Sequence, residues 1–244
     1  MSTRLRVATW NMHGGVGLDG RFTPQRIARV IRELDADVIA LQEFGSRRPA
    51  FDMRAHVEHA ASARAIVMPT FDKYGSDFGN AVLSRLPMRD VTCHGFDVAG
   101  CEPRNAIDLV IEHDGGPLRV IATHLGLRAA ERREQIARMC AVLDVPSEEP
   151  VILLGDFNEW RPRALLDLDS RFGMSAAPKT FPSPCPVAAL DRIWVAPARS
   201  CVDLRVHKSR ATRFASDHLP LVATLELHRA LRDTGPIDHS LSTR

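Results

Sequence analysis

The sequence has no CxxC pair, and its five cysteines (Cys93, Cys101, Cys140, Cys185, Cys201) are odd in number and widely spaced. That pattern argues against a disulfide framework and against a thiolate zinc site, and it fits free thiols in a reducing compartment. Long apolar runs are missing as well. Val151-Ile152-Leu153-Leu154 is of core-strand length, far below the roughly 18 residues of a membrane span, so no stable membrane insertion is expected. Arg4 and Arg6 lead at once into a strand-like stretch instead of the apolar segment of a signal peptide, which predicts a cytoplasmic location. Charge of one sign is also lacking: 32 basic and 30 acidic residues leave a net charge of +2. A protein that grips duplex DNA non-specifically shows a concentrated basic face, so charge gives no positive argument for a nucleic-acid partner. It does not exclude one, since a groove can be locally positive. Internal repeats and dividing linkers are absent. So are a nucleophile elbow, a Walker loop and an HExxH motif.

What is present is an ordinary globular composition, 45% hydrophobic and 25% charged over 244 residues. That length suits one sizeable core, here expected over residues 1–228, with a polar, flexible tail over 229–244. Leu5 to Trp10 alternates at period two and reads as a strand. Thr23 as N-cap and Pro24 at the first helical position open a helix whose Ile27, Val30, Ile31 and Leu34 recur at helical spacing. Further strands are predicted over 37–44, 65–71, 80–84, 89–96, 151–154, 190–195, 202–207 and 219–227. Residues 104–113 and 117–124 form a hairpin around Asp114-Gly115-Gly116. Further helices are expected over 53–63, 129–143 and 163–168, the second as a solvated outer helix. Strands outnumber helices and many are joined as hairpins. This predicts an α/β fold of two mainly antiparallel sheets packed face to face, with helices outside.

Certain polar residues end or follow these strands. Asn11, Glu43, His124, Asp156 and Asn158 each close one, Asp191 opens one, and Asp217-His218 precede the last. Taken singly, most fit a turn, a loop cap or a satisfied core histidine. Glu43 is harder to dismiss, because an acid ending a hydrophobic strand needs a partner or water. As a set they make chemical sense. Asp, Glu and Asn oxygens suit a hard cation, which polarises a phosphoryl oxygen. A histidine contacts phosphate or moves a proton near neutral pH, and an aspartate orients it.

Thr9-Trp10-Asn11, Leu41-Gln42-Glu43, Gly79-Asn80-Ala81-Val82-Leu83-Ser84, Thr123-His124-Leu125, Gly155-Asp156-Phe157-Asn158 and Ser216-Asp217-His218 resemble, in order, the motifs of the endonuclease/exonuclease/phosphatase superfamily. The resemblance runs from about Thr9 to Pro220. It implies a four-layer, DNase I-like α/β sandwich and a metal-dependent phosphodiesterase that uses Mg2+, with Mn2+ as the alternative. It implies Glu43 as principal metal ligand with Asn11 and Asp217 nearby. Asp156 and Asn158 would position the water and the phosphate, and would be the holders of any second metal, while His218, oriented by Asp191, would act as base or phosphate contact. His124 and Arg104 are the further implied phosphate contacts, Arg104 from the start of its strand. The substrate is expected to be a phosphodiester, either a lipid head group or other small ester or, alternatively, DNA or RNA. A phosphomonoester or a purely binding role is less favoured, and no obligatory protein partner is implied. Arg21, Arg26, Arg29, Arg47, Arg48 and Arg54 form a phosphate-facing rim if their loops share a face. The loop from Thr180 lies beside the cleft, with Trp160 either flanking the substrate or capping the core.

Overall fold

The computed structural model describes residues 2–228 apart from residues 47, 49, 74–75, 146–148 and 174–176; the expected tail over 229–244 and Arg47 lie outside the described residues. In chain order the elements are β1 (Ser2–Asn11), α1 (Pro24–Leu34), β2 (Val38–Phe44), α2 (Met53–Ala61), β3 (Arg64–Lys73), β4 (Ser76–Ser84), β5 (Met88–Gly95), β6 (Asn105–His113), β7 (Gly116–His124), α3 (Ala129–Leu143), β8 (Val151–Asp156), α4 (Leu166–Phe172), β9 (Asp191–Ala196), β10 (Cys201–Val206), α5 (Thr212–Ala215) and β11 (Leu221–His228). One sheet has six strands in the order β10-β11-β1-β2-β4-β3, the other five in the order β5-β6-β7-β8-β9.

All neighbours pair antiparallel except β1 with β2 and β7 with β8. Parallel partners need a crossover long enough for a helix, and the chain supplies α1 in the first case and α3 in the second. The sheets face one another across a dry core that includes Val7, Ala40, Leu109, Val120, Leu154 and Leu225. The outer face of the six-stranded sheet packs Trp10, Ile39, Leu41 and Leu83 against α1 and α2. The outer face of the five-stranded sheet packs Ile121, Leu153 and Trp194 against α3 and α4. The result is the expected four-layer sandwich. Among the described residues no helix is long and apolar enough to cross a membrane.

Local expectations hold with differences. Pro24 opens α1, but Thr23 makes no side-chain capping bond; Asp35, at φ 43°, ends the helix. The helix expected over 163–168 is a 3-10 turn (Pro162–Leu165) running into α4, because Leu165, Leu168 and Phe172 supply the buried face. The last strand begins at Leu221 rather than Leu219. The outer helix α3 is not uniformly solvated: it buries Glu131, Arg132 and Gln135 in its first half.

Candidate active site

Each crossover unit ends its two parallel strands at the same end of its sheet. In the first, Asn11 closes β1 opposite Gln42 of β2, next to Glu43. In the second, His124 closes β7 directly opposite Asp156, the last residue of β8. The two sheet ends meet at a cleft of about 360 Å³ lined by Asn11, Glu43, Asn80, Arg104, His124, Asp156, Asn158, Asp217 and His218. Asp191 sits just behind it, fully buried.

Hydrogen bonds and one close ion pair link these side chains from sheet to sheet. Asn11 donates its amide to Glu43 Oε1 at 3.0 Å and to Asp156 Oδ2 at 3.1 Å. Asp156 Oδ1 accepts the Asn158 backbone N–H at 2.9 Å. His218 Nδ1 lies 2.9 Å from Asp191 Oδ2, which also accepts the Thr180 hydroxyl at 2.5 Å. On its other side His218 Nε2 stands 3.6 Å from Asp156 Oδ2. Burial opposes a charge on His218, but Asp191 and Asp156, with Asp217 further off, outweigh it and push its pKa up to about 10. His218 is therefore an imidazolium at neutral pH. Phe181 packs against its ring with centroids 4.9 Å apart, a contact that favours the cation. Burial raises the Asp156 carboxyl to about 6, against the lowering pull of His218.

His124 is the opposite case. Burial, then the positive charges of Arg104 and His218, hold its pKa well below the usual histidine range. Asn158 Nδ2 lies 3.0 Å from His124 Nε2 and 2.9 Å from Leu125 O. A neutral imidazole facing an amide donor must accept at Nε2, which leaves its proton on Nδ1. With both amide hydrogens committed, the Asn158 oxygen has no bonded partner among the described residues.

Two features suit a cation. Glu43 and Asp217 line the cleft with no lysine or arginine in ion-pair reach among the described residues, and His13 is 3.8 Å from Asp217. Unneutralised carboxylates beside an asparagine make an oxygen donor set that fits a hard divalent ion. Asp156, Asp191 and His218 also lie close enough together to hold an ion. There, however, a cation has to displace the proton that the two carboxylates stabilise on His218.

Every expected catalytic, metal-ligating or phosphate-contacting residue comes to this cleft or directly behind it. Arg104 lines it, its Nη1 paired with Glu102 at 2.8 Å and its buried Nε without a partner. The arginine rim does not form there: Arg26, Arg29 and Arg54 pair with Asp19, Glu33 and Glu58, and Arg48 lies over the Phe22 ring. None of these, nor Arg21, lines the cleft. Trp160 is 59% exposed at the cleft and edge-on to Phe181, so it flanks the opening and does not cap the core.

Sequence reasoning missed four contributors. Thr180 buttresses Asp191, and Ser216 Oγ donates to Asn11 O at 2.7 Å. Phe181 packs at a tilt against the His218 ring. Asn80 lines the cleft with a buried Oδ1 lacking a partner, while its amide is spent on Asn105 at 2.8 Å. Asn80 and Ser216 fall inside the quoted motifs, and Thr180 and Phe181 in the loop expected beside the cleft; that placement was the available signal.

The sequence profile described as "Endonuclease/Exonuclease/phosphatase family" matches residues 8–218. The uncharacterized protein YbhP of Escherichia coli strain K12 is 31% identical, with 91% of this chain and 96% of that protein covered. Among solved structures, an endonuclease/exonuclease/phosphatase from Beutenbergia cavernae DSM 12333 superposes with a TM-score of 0.74 at 24% identity, covering 92% of this chain and 72% of that one. Truncated Caenorhabditis elegans TDP2 gives 0.66 at 18% identity, covering 91% and 97%. Both structural likenesses speak to the fold.

Proposed function

The chain belongs to the endonuclease/exonuclease/phosphatase family, and from that premise we propose that it is a divalent-metal-dependent phosphodiesterase acting by water attack on phosphorus. The observation that carries this reading is the run Asp191–His218–Asp156–Asn11–Glu43, joined by hydrogen bonds and by one 3.6 Å ion pair between His218 and Asp156, and drawn from both sheets to one cleft.

Glu43, Asn11 and Asp217 would hold Mg2+, with Mn2+ as the alternative. When bound, such a cation supplies Lewis-acid polarisation of the phosphoryl oxygen and neutralises charge on the leaving oxygen. His218, already cationic, donates to a phosphate oxygen rather than serving as base; Asp191 and Thr180 fix its ring. Asp156 is the base. With a pKa near 6 it is mostly ionised at neutral pH yet still able to take a proton from the attacking water. As the water oxygen bonds to phosphorus, the ester P–O bond breaks and the leaving oxygen takes a proton from solvent, to which Asp156 returns the proton it accepted. Asn158, through its unbonded amide oxygen and its backbone, orients the water with Asp156. His124, neutral, keeps its proton on Nδ1 and holds the Asn158 amide. Arg104 faces the phosphate charge.

A small or lipid-head-group phosphodiester suits the narrow, acid-floored cleft and the missing arginine rim. One observation favours a nucleic-acid strand instead: Trp160 is exposed at the opening, and Arg161, Arg163 and Lys179 are exposed without an ion pair among the described residues. An exposed ring next to free cations is the arrangement on which bases stack.

The test is hydrolysis by purified protein with Mg2+ on phospholipid vesicles, plasmid DNA and single-stranded RNA in parallel. Turnover of one substrate is expected to vanish with EDTA and in Glu43→Gln, and to fall about 10²–10³-fold in His218→Ala, the usual loss of one charge-stabilising donor. Both variants should keep the wild-type circular dichroism spectrum. Turnover undiminished by EDTA sinks the metal role. Undiminished turnover in both variants sinks the site.

A further inference from the structure

The first half of α3 carries a buried polar cluster that the chemistry above does not use. Glu131, Arg132 and Gln135 are 4%, 5% and 0% exposed on a helix that forms an outer layer. Apart from a Gln135 bond to the Phe96 carbonyl at 3.2 Å, their bonds outside the helix run to two loops, residues 125–128 after β7 and 157–161 after β8. Arg132 donates Nε to Glu159 Oε2 at 2.8 Å, and Nη1 to the carbonyls of Leu127 at 2.6 Å and Gly126 at 3.2 Å. Glu159 is 4% exposed and accepts the Arg161 N–H at 2.8 Å through its other oxygen. Gln135 accepts the Gly126 N–H at 2.8 Å, and Glu131 the Arg128 N–H at 3.2 Å. The approach is close enough that a Cβ on Gly126 would fall 1.8 Å from the Glu131 carboxyl.

Stability alone does not account for such a pair. Replacing a buried ion pair with apolar groups of similar volume is often neutral or stabilising. What a charge-assisted Arg132–Glu159 bond, with the same guanidinium also held on two loop carbonyls, does supply is a fixed distance and angle. The loops it joins meet on their other side at the reacting groups. Asn158 precedes Glu159, stands at φ 50°, and spends its amide on His124 Nε2 and Leu125 O.

We propose that Arg132 and Glu159 form a positioning strut behind the cleft, holding the loops after β7 and β8 in register so that Asn158 meets His124. The kinetic consequence rests on the phosphodiesterase reading; the structural consequence does not. Neither residue touches the cleft, so both act through Asn158 and His124.

The test compares wild type with the double variant Arg132→Met/Glu159→Met, which removes both charges at similar volume, and with the near-isosteric Glu159→Gln. Thermal unfolding, kcat, KM and the imidazole 15N resonances of His124 are measured on each. The expected result for the double variant is an unfolding temperature close to wild type, kcat lower by about 10²-fold as for a small misplacement of reacting groups, and a much smaller change in KM. The His124 Nε2 resonance should move toward that of an unbonded ring nitrogen. An unmoved resonance in a folded variant overturns the strut, whether or not kcat falls. So does a moved resonance with unchanged kcat in an active enzyme. If the double variant does not fold, Glu159→Gln decides by the same two readouts. If wild type hydrolyses no phosphodiester, the activity reading fails alone, and the resonance still supports or overturns the strut.

Discussion

His218 is held between two buried carboxylates, and its protonation is linked to folding. Its pKa in the folded protein is about 10, against an ordinary histidine value of 6.5. A raised pKa means that the folded state binds the proton more tightly, so the stability gained is fully present below about pH 6.5 and is lost as pH rises toward 10. Asp191→Asn removes the nearest source of that shift. The urea unfolding free energy of wild type should exceed that of Asp191→Asn by the most near pH 6, and the gap should close steadily toward about pH 10. A gap independent of pH means that Asp191 stabilises the fold through packing and the Thr180 bond, not through the imidazolium. At this scale the sequence was informative where a residue ends a strand, as for Glu43, His124 and Asp156. It was weaker where position is set by a distant loop. Nothing local to Thr180 indicates that its hydroxyl will meet Asp191 eleven residues on, and nothing local to Asn80 indicates a buried amide oxygen facing the cleft.

The elements that deliver the site are two crossover units, β1–α1–β2 and β7–α3–β8, whose parallel pairs end at Asn11–Gln42, next to Glu43, and at His124–Asp156. Close strand spacing in the second unit depends on Gly155, paired with Thr123 in β7. A Cβ there would lie 1.9 Å from the Thr123 carbonyl oxygen at a φ of 150°, so β8 can sit against β7 only with glycine at this place. Gly155→Ala should cost about 1–3 kcal/mol in overpacking and a similar amount in backbone strain. It should also lower kcat, because Asp156 and His124 are the next pair in register. Gly116→Ala is the control: its φ of 113° is also strained, but a Cβ meets nothing within 4 Å, and the position lies at the far end of β7. Thermal unfolding of both variants with kcat of each tests this; equal kcat losses would show that strain alone, not the β7–β8 spacing, matters. Alternation and helical periodicity made most elements legible, since Ile27, Val30, Ile31 and Leu34 can only face one way. They misplaced α4, whose buried residues begin in a 3-10 turn. They also read α3 as solvated, because a charged residue looks the same in sequence whether it faces water or a buried partner such as Glu159.

At the scale of the whole molecule, the candidate site is assembled only where the two sheets meet. Asn11, Glu43 and Asp217 hang from the six-stranded sheet or its entry, while His124, Asp156, Asn158 and Asp191 belong to the five-stranded one; the bonds Asn11–Asp156 and His218–Asp191 cross the gap. The charge that surrounds this seam decides what reaches it. The protein carries a net charge of only +2, and Arg26, Arg29 and Arg54 are neutralised by acids on their own side, away from the cleft. A ligand presenting one phosphate to Arg104 and a bound cation releases few counterions. A polynucleotide held by many phosphates releases one for nearly every contact, and loses about 10³–10⁵ in affinity between roughly 50 and 200 mM salt when it makes 6–10 of them. On the active substrate, log KM against log salt concentration should therefore be shallow, with a slope of about 1 or less. A slope several times steeper, reduced by Arg161→Gln and Arg163→Gln, would move the substrate to nucleic acid. It would also turn the exposed Trp160 flank into the strand-binding side of the cleft.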